Sequence, residues 1–398
     1  MKYRIGIIGV GYVGLPLINA FAKKDYYVKA YDINSKRINQ LLKNIDLRII
    51  HIIPSYIPLI GGAERQLGRL SKIQSIENEV IIITRNLVNK NPLYRKKINQ
   101  KLEILRFGFG DLISYNIILF FYLFLNRPKF LHIHTLTSPF FISCICAFLF
   151  KSKIIAKITR YGVGSQIELI TKSFIKLYIF KSFCRSKTIF ICLTKECVKY
   201  VNDLNLNLNL QLIPNGIIPT NNTINKKIIN DKLKLVIISR LIPRKRVLTS
   251  VKSLIKTFNN QIDIHICGDG IEKIKIEDYK KKYNISNIYL HGFINEKKVF
   301  DILSKSNFLI LNSINEGLSN SFLEALNNAV IPVVDFNDFY RYLNEKYGCI
   351  LSFDKMLDMK AEELKKYYND NFTSLKKIVK TEFDLKKINK AYIKLYDE

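Results

Sequence analysis

The sequence predicts an α/β protein: two doubly wound parallel sheets facing a cleft, preceded by an incomplete β-α-β fragment. In each half, an apolar run of strand length meets a glycine turn that opens onto a helix-like segment. Parallel sheets covered by helices require that order. The opening residues repeat it on a smaller scale. Of the 398 residues, about 350 remain once this fragment is set aside, which suits two domains of ordinary size.

The opening text M-K-Y-R-I-G-I-I-G-V-G-Y-V-G-L-P-L runs a strand into Gly9, Gly11 and Gly14. A helix to about Lys24 comes next, then a second strand V-K-A-Y, and Asp32 stands eighteen residues past the last glycine. Glycines for a tight turn and phosphate approach, with an acid for a ribose, are the layout of a dinucleotide site. The longer texts G-V-G-Y-V-G-L-P-L and D-I-N-S-K-R-I resemble the opening of the UDP-glucose/GDP-mannose (nucleotide-sugar) dehydrogenases. That resemblance stops at about Lys43. Residues 1–44 therefore supply a partial Rossmann fragment, less than one of the two three-stranded halves such a site needs. The nucleophilic cysteine that the resemblance implies, in a G-G-x-C context, matches none of the seven cysteines. The fragment reads as a fusion remnant with a vestigial NAD-type motif, and NAD binding by it is not expected. A NAD-dependent nucleotide-sugar dehydrogenase, or its inactive remnant, is the alternative reading of the chain.

A new first strand begins in L-R-I-I-H-I-I-P-S-Y-I-P-L-I-G-G-A-E-R, with the apolar run Ile49 to Ile53, a loop carrying Gly61 and Gly62, and the helix-like A-E-R-Q-L-G-R-L. Glu64 is expected to favour the helix start rather than to face a site. Further on, F-L-H-I-H-T-L-T-S-P ends a strand with His132 and His134, expected on opposite faces so that only one reaches the cleft. The polar stretch Pro219 to Asp231 has loop composition and divides domains at 45–219 and 220–372, with a terminal helix over 373–398. The second domain opens with K-L-V-I-I-S-R-L-I-P-R-K-R-V. Arg240 and Lys245 come after its strand, whereas Arg244 and Arg246 read as a basic loop. Next come I-H-I-C-G-D-G and L-H-G-F, two strand-end turns whose glycines allow close backbone approach to a nucleotide.

The run E-G-L-S-N-S-F-L-E-A-L places Glu316 and Glu324 eight positions apart. Gly317 and Ser319 suit a turn and Asn320 can cap the helix-like S-F-L-E-A-L, so the first carboxylate precedes a helix and the second rides on it. The free N–H groups of that first turn suit a phosphate, and an ionised carboxylate suits neighbouring sugar hydroxyls. Together with P-N-G at Pro214 to Gly216 and H-x-H, these texts resemble the family-4 retaining glycosyltransferases of the GT-B fold. That resemblance implies that Arg240 and Lys245 hold a donor diphosphate, and that Glu316 contacts the transferred sugar as the third catalytic residue. It also implies that Glu324 accepts from the ribose, and that Gly61, Gly62, Gly268, Gly317, Leu318, Ser319 and Asn320 complete the donor site. No metal and no cofactor are required. Where many relatives carry a histidine, the text here is I-I-A-K-I-T-R-Y-G, with Thr159 or Arg160 near that position. Lys157, Thr159 and Arg160, with His134, are candidate acceptor or sugar contacts. The resemblance implies, too, that the terminal helix F-D-L-K-K-I-N-K-A-Y-I-K-L-Y crosses back to the first domain.

Composition bounds the partners. A net charge of +30 and a pI near 9.7 favour an anionic partner. No nucleic-acid module accompanies the charge, so nucleic acid is not an expected partner. Peripheral contact with an anionic membrane is, through aromatic and basic residues of the first half. The apolar runs at Ile117 to Leu125 and before Lys151 are too short to span a bilayer. The cysteines look like buried thiols of a reducing cytoplasm, and the five histidines do not cluster along the sequence. The expected partners are a nucleotide-diphosphate sugar and a glycan or lipid-linked glycan acceptor, at the cytoplasmic face of a membrane. A non-catalytic assembly partner would instead bind donor without turnover. Deleting the residues before about Ile45 should leave transfer activity largely intact; a folded truncation without activity would show that the fragment has been recruited.

Overall fold

The computed structural model describes residues 4–8, 27–31, 48–57, 61–88, 91–184, 188–220, 232–314 and 317–397, with side chains from Arg48 to Tyr396. By contacts the chain divides into two compact units, residues 1–48 with 77–79, and residues 49–76 with 80–398. In the first unit, β1 (Arg4–Ile8) and β2 (Tyr27–Tyr31) pair in parallel, with Arg4 opposite Tyr27. A parallel pair needs a crossover between its strands, as in a Rossmann-like fragment. Gly9, Gly11, Gly14 and Asp32 lie outside the described residues.

The larger unit contains two sheets. The first is built from β3 (Arg48–Ile52), β4 (Glu79–Arg85), β5 (Leu93–Lys97), β6 (Leu102–Phe107), β7 (Phe130–Ile133), β8 (Lys153–Ile158), β9 (Thr188–Cys192) and β10 (Asn209–Leu212). Their order is β10-β9-β8-β7-β3-β4-β6-β5. β5 is antiparallel to β6, whereas β10 to β3 and the β4–β6 pair run parallel. Sequence explains the layout: β4 reads E-V-I-I-I-T-R and buries its apolar centre on both faces, as a parallel strand covered by helices must. β5 reads L-Y-R-K-K, and its charges suit an exposed edge.

The second sheet is wholly parallel. It orders β11 (Leu233–Ile238), β12 (Ile262–Cys267), β13 (Ile288–Gly292), β14 (Phe308–Leu311), β15 (Ile331–Val334) and β16 (Leu351–Ser352) as β13-β12-β11-β14-β15-β16. Each sheet has its own hydrophobic core. In the first sheet the winding reverses between β3 and β7, and in the second between β11 and β14. Crevices beyond the carboxyl ends of strands at such reversals are where open α/β sheets bind ligands.

Among the described helices are α1 (Gly62–Gln74), α2 (Leu112–Asn126), α3 (Ser138–Phe150), α4 (Phe174–Ile179), α5 (Asn320–Asn327) and α6 (Leu385–Asp397). α6 returns to the first sheet. The Ile217 N–H donates to the Phe383 carbonyl at 2.9 Å, and the Leu385 N–H donates to the Ile217 carbonyl at 3.0 Å. At the far end of α6 the Tyr396 hydroxyl lies 2.7 Å from His132 Nδ1 and accepts from Gln74 Nε2 at 3.4 Å.

His132 and His134 do not point to opposite faces. A strand repeats every two residues, so positions i and i+2 share a face, and the two rings stack at 4.3 Å. His51 joins them from β3. Its Nε2 meets Gln74 Oε1 at 2.8 Å, and that oxygen only accepts, so His51 Nε2 carries the proton. His51 Nδ1 then accepts from His134 Nε2 at 3.0 Å. All three imidazoles are buried. Burial is the first cause of their lowered pKa values, and that of His51 falls to about 4.

Replacing Tyr396 with Phe strips His132 of this hydroxyl, while its Nε2 already has no partner among the described residues. The variant should lose about 1–3 kcal/mol of stability, the usual cost of a buried group left unpaired. A lowered urea midpoint at unchanged slope checks this; an unshifted midpoint would mean that the Tyr396 hydroxyl contributes nothing to the docking of α6.

Candidate functional site

The carboxyl ends of the strands beside both reversals open into one cavity of about 640 Å³. From the first domain it is walled by Gly61 to Gln66 at the start of α1, by His134 after β7, and by Lys157, Thr159 and Arg160 at the end of β8. From the second come Arg240 after β11, Arg244 and Lys245 in the next turn, Gly268 and Asp269 after β12, Phe293 after β13, and Gly317 to Ser321 at the start of α5. Arg240, Lys245, Gly61, Gly62, Gly268, Gly317, Leu318, Ser319, Asn320, His134, Lys157, Thr159 and Arg160 thus share one wall system, although up to 259 positions separate them along the chain. Glu316 lies outside the described residues.

Among the described residues, positive charge predominates on the cavity wall. The described walls carry five cations, Arg65, Arg160, Arg240, Arg244 and Lys245, and the buried amine of Lys157, against the two acids Glu64 and Asp269. The first turn of α5 adds backbone N–H groups with partial positive charge. An anion with several negative oxygens is the ligand this arrangement stabilises.

Several expectations need correction. The cap of α5 is Ser319, whose Oγ accepts from the Phe322 N–H at 3.1 Å, not Asn320. Asn320 instead donates across the cleft from its Nδ2 to the Gly62 carbonyl. Glu324 is not on the cavity wall. It is buried and ion-paired with α1, 3.2 Å from Arg65 Nη1 and 2.5 Å from Arg69 Nη2. Arg69 also reaches Glu296 at 3.0 Å. Burial alone would lower the Arg69 pKa, but the two carboxylates outweigh it and raise it. Glu64 faces the cavity as well as serving the helix start, and it accepts from Ser55 Oγ at 2.7 Å. Arg244 lines the cavity too, while Arg246 faces Asp335 at 3.4 Å, as a plain basic loop residue would.

Gly268 is needed for a reason other than ligand approach. At φ +151°, a Cβ there would stand 1.8 Å from the Ser239 carbonyl oxygen, so the residue lets the β12 turn close on the β11 turn that carries Arg240.

Asn215, of the P-N-G text, was not singled out as a site residue, and that text was its one sequence signal. Its Oδ1 accepts from Lys157 Nζ at 2.8 Å and its Nδ2 donates to the Leu318 carbonyl at 3.3 Å, so it ties the two domains at the cavity floor. Arg65 and Arg69 were also missed. Their signal is the helical i, i+4 spacing behind the glycine loop. Scattered along the sequence, three of the five histidines meet in the fold. Nitrogen atoms of His51, His132 and His134 lie within 4.8 Å of one another, joined through the His51–His134 hydrogen bond and the stacked rings of His132 and His134.

Comparison with known proteins gives two family matches. Residues 220–381 match the family described as glycosyl transferases group 1, and residues 3–57 match the NAD binding domain of the UDP-glucose/GDP-mannose dehydrogenase family. The second match runs past Lys43 and into β3. Among curated proteins, a UDP-N-acetyl-D-mannosamine dehydrogenase of Methanococcus maripaludis strain S2 is 35% identical over 80 residues, 20% of this chain and 18% of that protein. Its counterpart in strain C7 is 40% identical over 60 residues, 15% of this chain and 13% of that protein. The alignments therefore span under a fifth of these relatives. Among solved structures, sucrose-phosphate synthase from Thermosynechococcus elongatus aligns with a TM-score of 0.70 at 13% identity, over 88% of this chain and 98% of that one. Anabaena Alr3699/HepE in complex with UDP aligns with a TM-score of 0.66 at 13% identity, over 88% and 100%. WaaG, a glycosyltransferase involved in lipopolysaccharide biosynthesis, aligns at 0.64 and 13%, over 86% and 98%. The fold is GT-B.

Burial lowers the Lys157 pKa from 10.5 to about 7. Between these values the unfolded chain binds the proton that the folded chain has released, so the cost of burying this amine shrinks as pH rises. Relative to the wild type, Lys157→Met should be more stable at pH 7 than at pH 10.5. Urea midpoints of both proteins at the two pH values check this; a constant difference would show that Lys157 keeps an ordinary pKa.

Proposed function

We propose that the chain, which carries a glycosyl transferases group 1 domain over residues 220–381, moves a sugar from a nucleotide-diphosphate donor to a hydroxyl of a glycan or lipid-linked glycan, in surface polysaccharide synthesis. The observation that carries this reading is the convergence of Arg240, Lys245 and the amino end of α5 on one cavity, opposite the Gly61–Gly62 loop. Solved relatives of the same fold hold UDP or UDP-glucose, which supports a sugar nucleotide as the occupant.

In this reading Arg240 and Lys245, with the α5 N–H groups, hold the diphosphate. As the glycosidic bond breaks the leaving group gains charge, so these cations stabilise the transition state more than the ground state. They supply the neutralisation that a metal ion would otherwise give, and the proposed transfer is metal-independent. Phe293, exposed at the rim, offers a ring face to the nucleobase. Glu316 contacts the sugar hydroxyls. The configuration is retained: a departing phosphate oxygen takes the acceptor's proton while the new bond forms on the face the old one leaves. His134, Lys157, Thr159 and Arg160, which line the same cavity, are the proposed acceptor or sugar contacts. The ribose recruits Glu324 by displacing Arg65, the more exposed of its two arginine partners. The dehydrogenase-like fragment takes no part.

Replacing Arg240 or Lys245 with Ala should lower turnover by roughly 10- to 1000-fold with the fold intact. Glu324→Gln should raise the donor KM more than it lowers kcat. Steady-state kinetics over a panel of nucleotide sugars reads both. Full turnover in a folded Arg240→Ala, Lys245→Ala double variant would sink the reading.

A further inference from the structure

Helix α2 is apolar on two opposite sides. Tyr115, Leu119 and Leu123 form a buried stripe at four-residue spacing. Ile113, Ile117, Phe121 and Leu125 repeat that spacing on the outside, with Ile113 74% and Leu125 75% exposed. A helix that is hydrophobic all round is expected to be covered all round. The outer stripe does not stand alone. α3 packs beside α2, with Phe150 edge-on to Phe124 at 5.3 Å, and ends in the exposed Phe148 and Leu149. Phe148 in turn meets Phe183 edge-on at 5.4 Å, in the π-helical turn Phe180–Cys184 that continues from α4. α4 itself exposes Phe174, at 86%, with Ile175 and Tyr178. One apolar face therefore runs from α2 over the end of α3 to α4, larger in extent than scattered surface side chains make.

Cations frame this face. Arg127, Lys151, Lys153, Lys172, Lys176 and Lys181 are exposed beside it. From residue 111 to 184 the sequence holds nine Lys or Arg, of which Lys157 and Arg160 line the cavity instead, and two acids, Asp111, which caps α2, and Glu168, which Lys172 neutralises at 2.9 Å. No described helix is long and apolar enough to cross a membrane. We infer that this face docks the protein on an anionic lipid surface, with α2 lying in the plane of the interface, its outer stripe among the acyl chains and the surrounding amines at the headgroups. Charge selects this occupant over a second copy of the chain, because two such faces would bring like cations together. The inference is independent of the sugar-transfer reading, since its test reads binding and not turnover.

The test is co-sedimentation of the full chain with phosphatidylcholine vesicles, with and without phosphatidylglycerol. Anionic vesicles should bind at least about tenfold more tightly, and added salt should erode the difference. The double variant Ile117→Glu, Phe121→Glu should lose binding by about tenfold or more at an unchanged melting temperature, since both side chains are exposed. Lys151→Glu with Lys176→Glu should lose only the anionic preference. Equal binding to both vesicles, or none, would overturn the proposal. So would a dimer in sedimentation velocity that the Ile117→Glu, Phe121→Glu variant dissociates.

Discussion

The ion cluster that joins Glu324 to Arg65 and Arg69 is the constraint on which the arrangement of the site depends. It sits where α5 of the second domain meets α1 of the first, and all eight residues of α5 are buried. A carboxylate in that position is tolerable only when paired, and removing one partner of such a pair typically costs about 3–5 kcal/mol. Because α1 begins at the Gly61–Gly62 loop and α5 at Gly317 to Ser321, the same contact sets the distance between the two walls of the cavity. The Asn320 bond to the Gly62 carbonyl and the Asn215 bond to the Leu318 carbonyl hold the same gap from either side.

A second polar network joins the first sheet to α1 and α6. Residues of β3, β7, α1 and α6 meet in His51, His132, His134, Gln74 and Tyr396, so the terminal helix is anchored by oriented hydrogen bonds as well as by the buried rings of Tyr392 and Tyr396. His134 belongs to this network and to the cavity wall at once. The docking of α6 and the shape of the site are therefore physically linked.

Most of the strand and helix plan was legible because the signals are local. Ile49 to Ile53 before Gly61, and the apolar run before Arg240, name a strand, a turn and a helix from neighbouring residues alone. The cap of α5 was misassigned by one position because Ser319 and Asn320 are both good capping residues and only backbone geometry separates them. The two histidines of H-x-H were misplaced through a wrong count of strand period. Arg65, Arg69 and Asn215 went unnoticed because their partners lie far off in sequence, so that the i, i+4 spacing of the arginines and the P-N-G text mark the residues but not what they meet.

By itself the sequence determined the parallel α/β architecture and, through resemblance, the GT-B fold, and it named the cavity glycines Gly61, Gly62, Gly268 and Gly317 with Lys157, Arg160, Arg240 and Lys245, but not Arg65 or Arg244. Periodicity, turn chemistry and motif order are properties of short segments, and short segments survive translation into text. Only the tertiary structure decided that Glu324 is held by two arginines, that three scattered imidazoles share one buried network, and that the outer stripe of α2 is left uncovered. Each of these is set by which surfaces two sheets present to one another and to solvent, which depends on packing in three dimensions rather than on order along the chain.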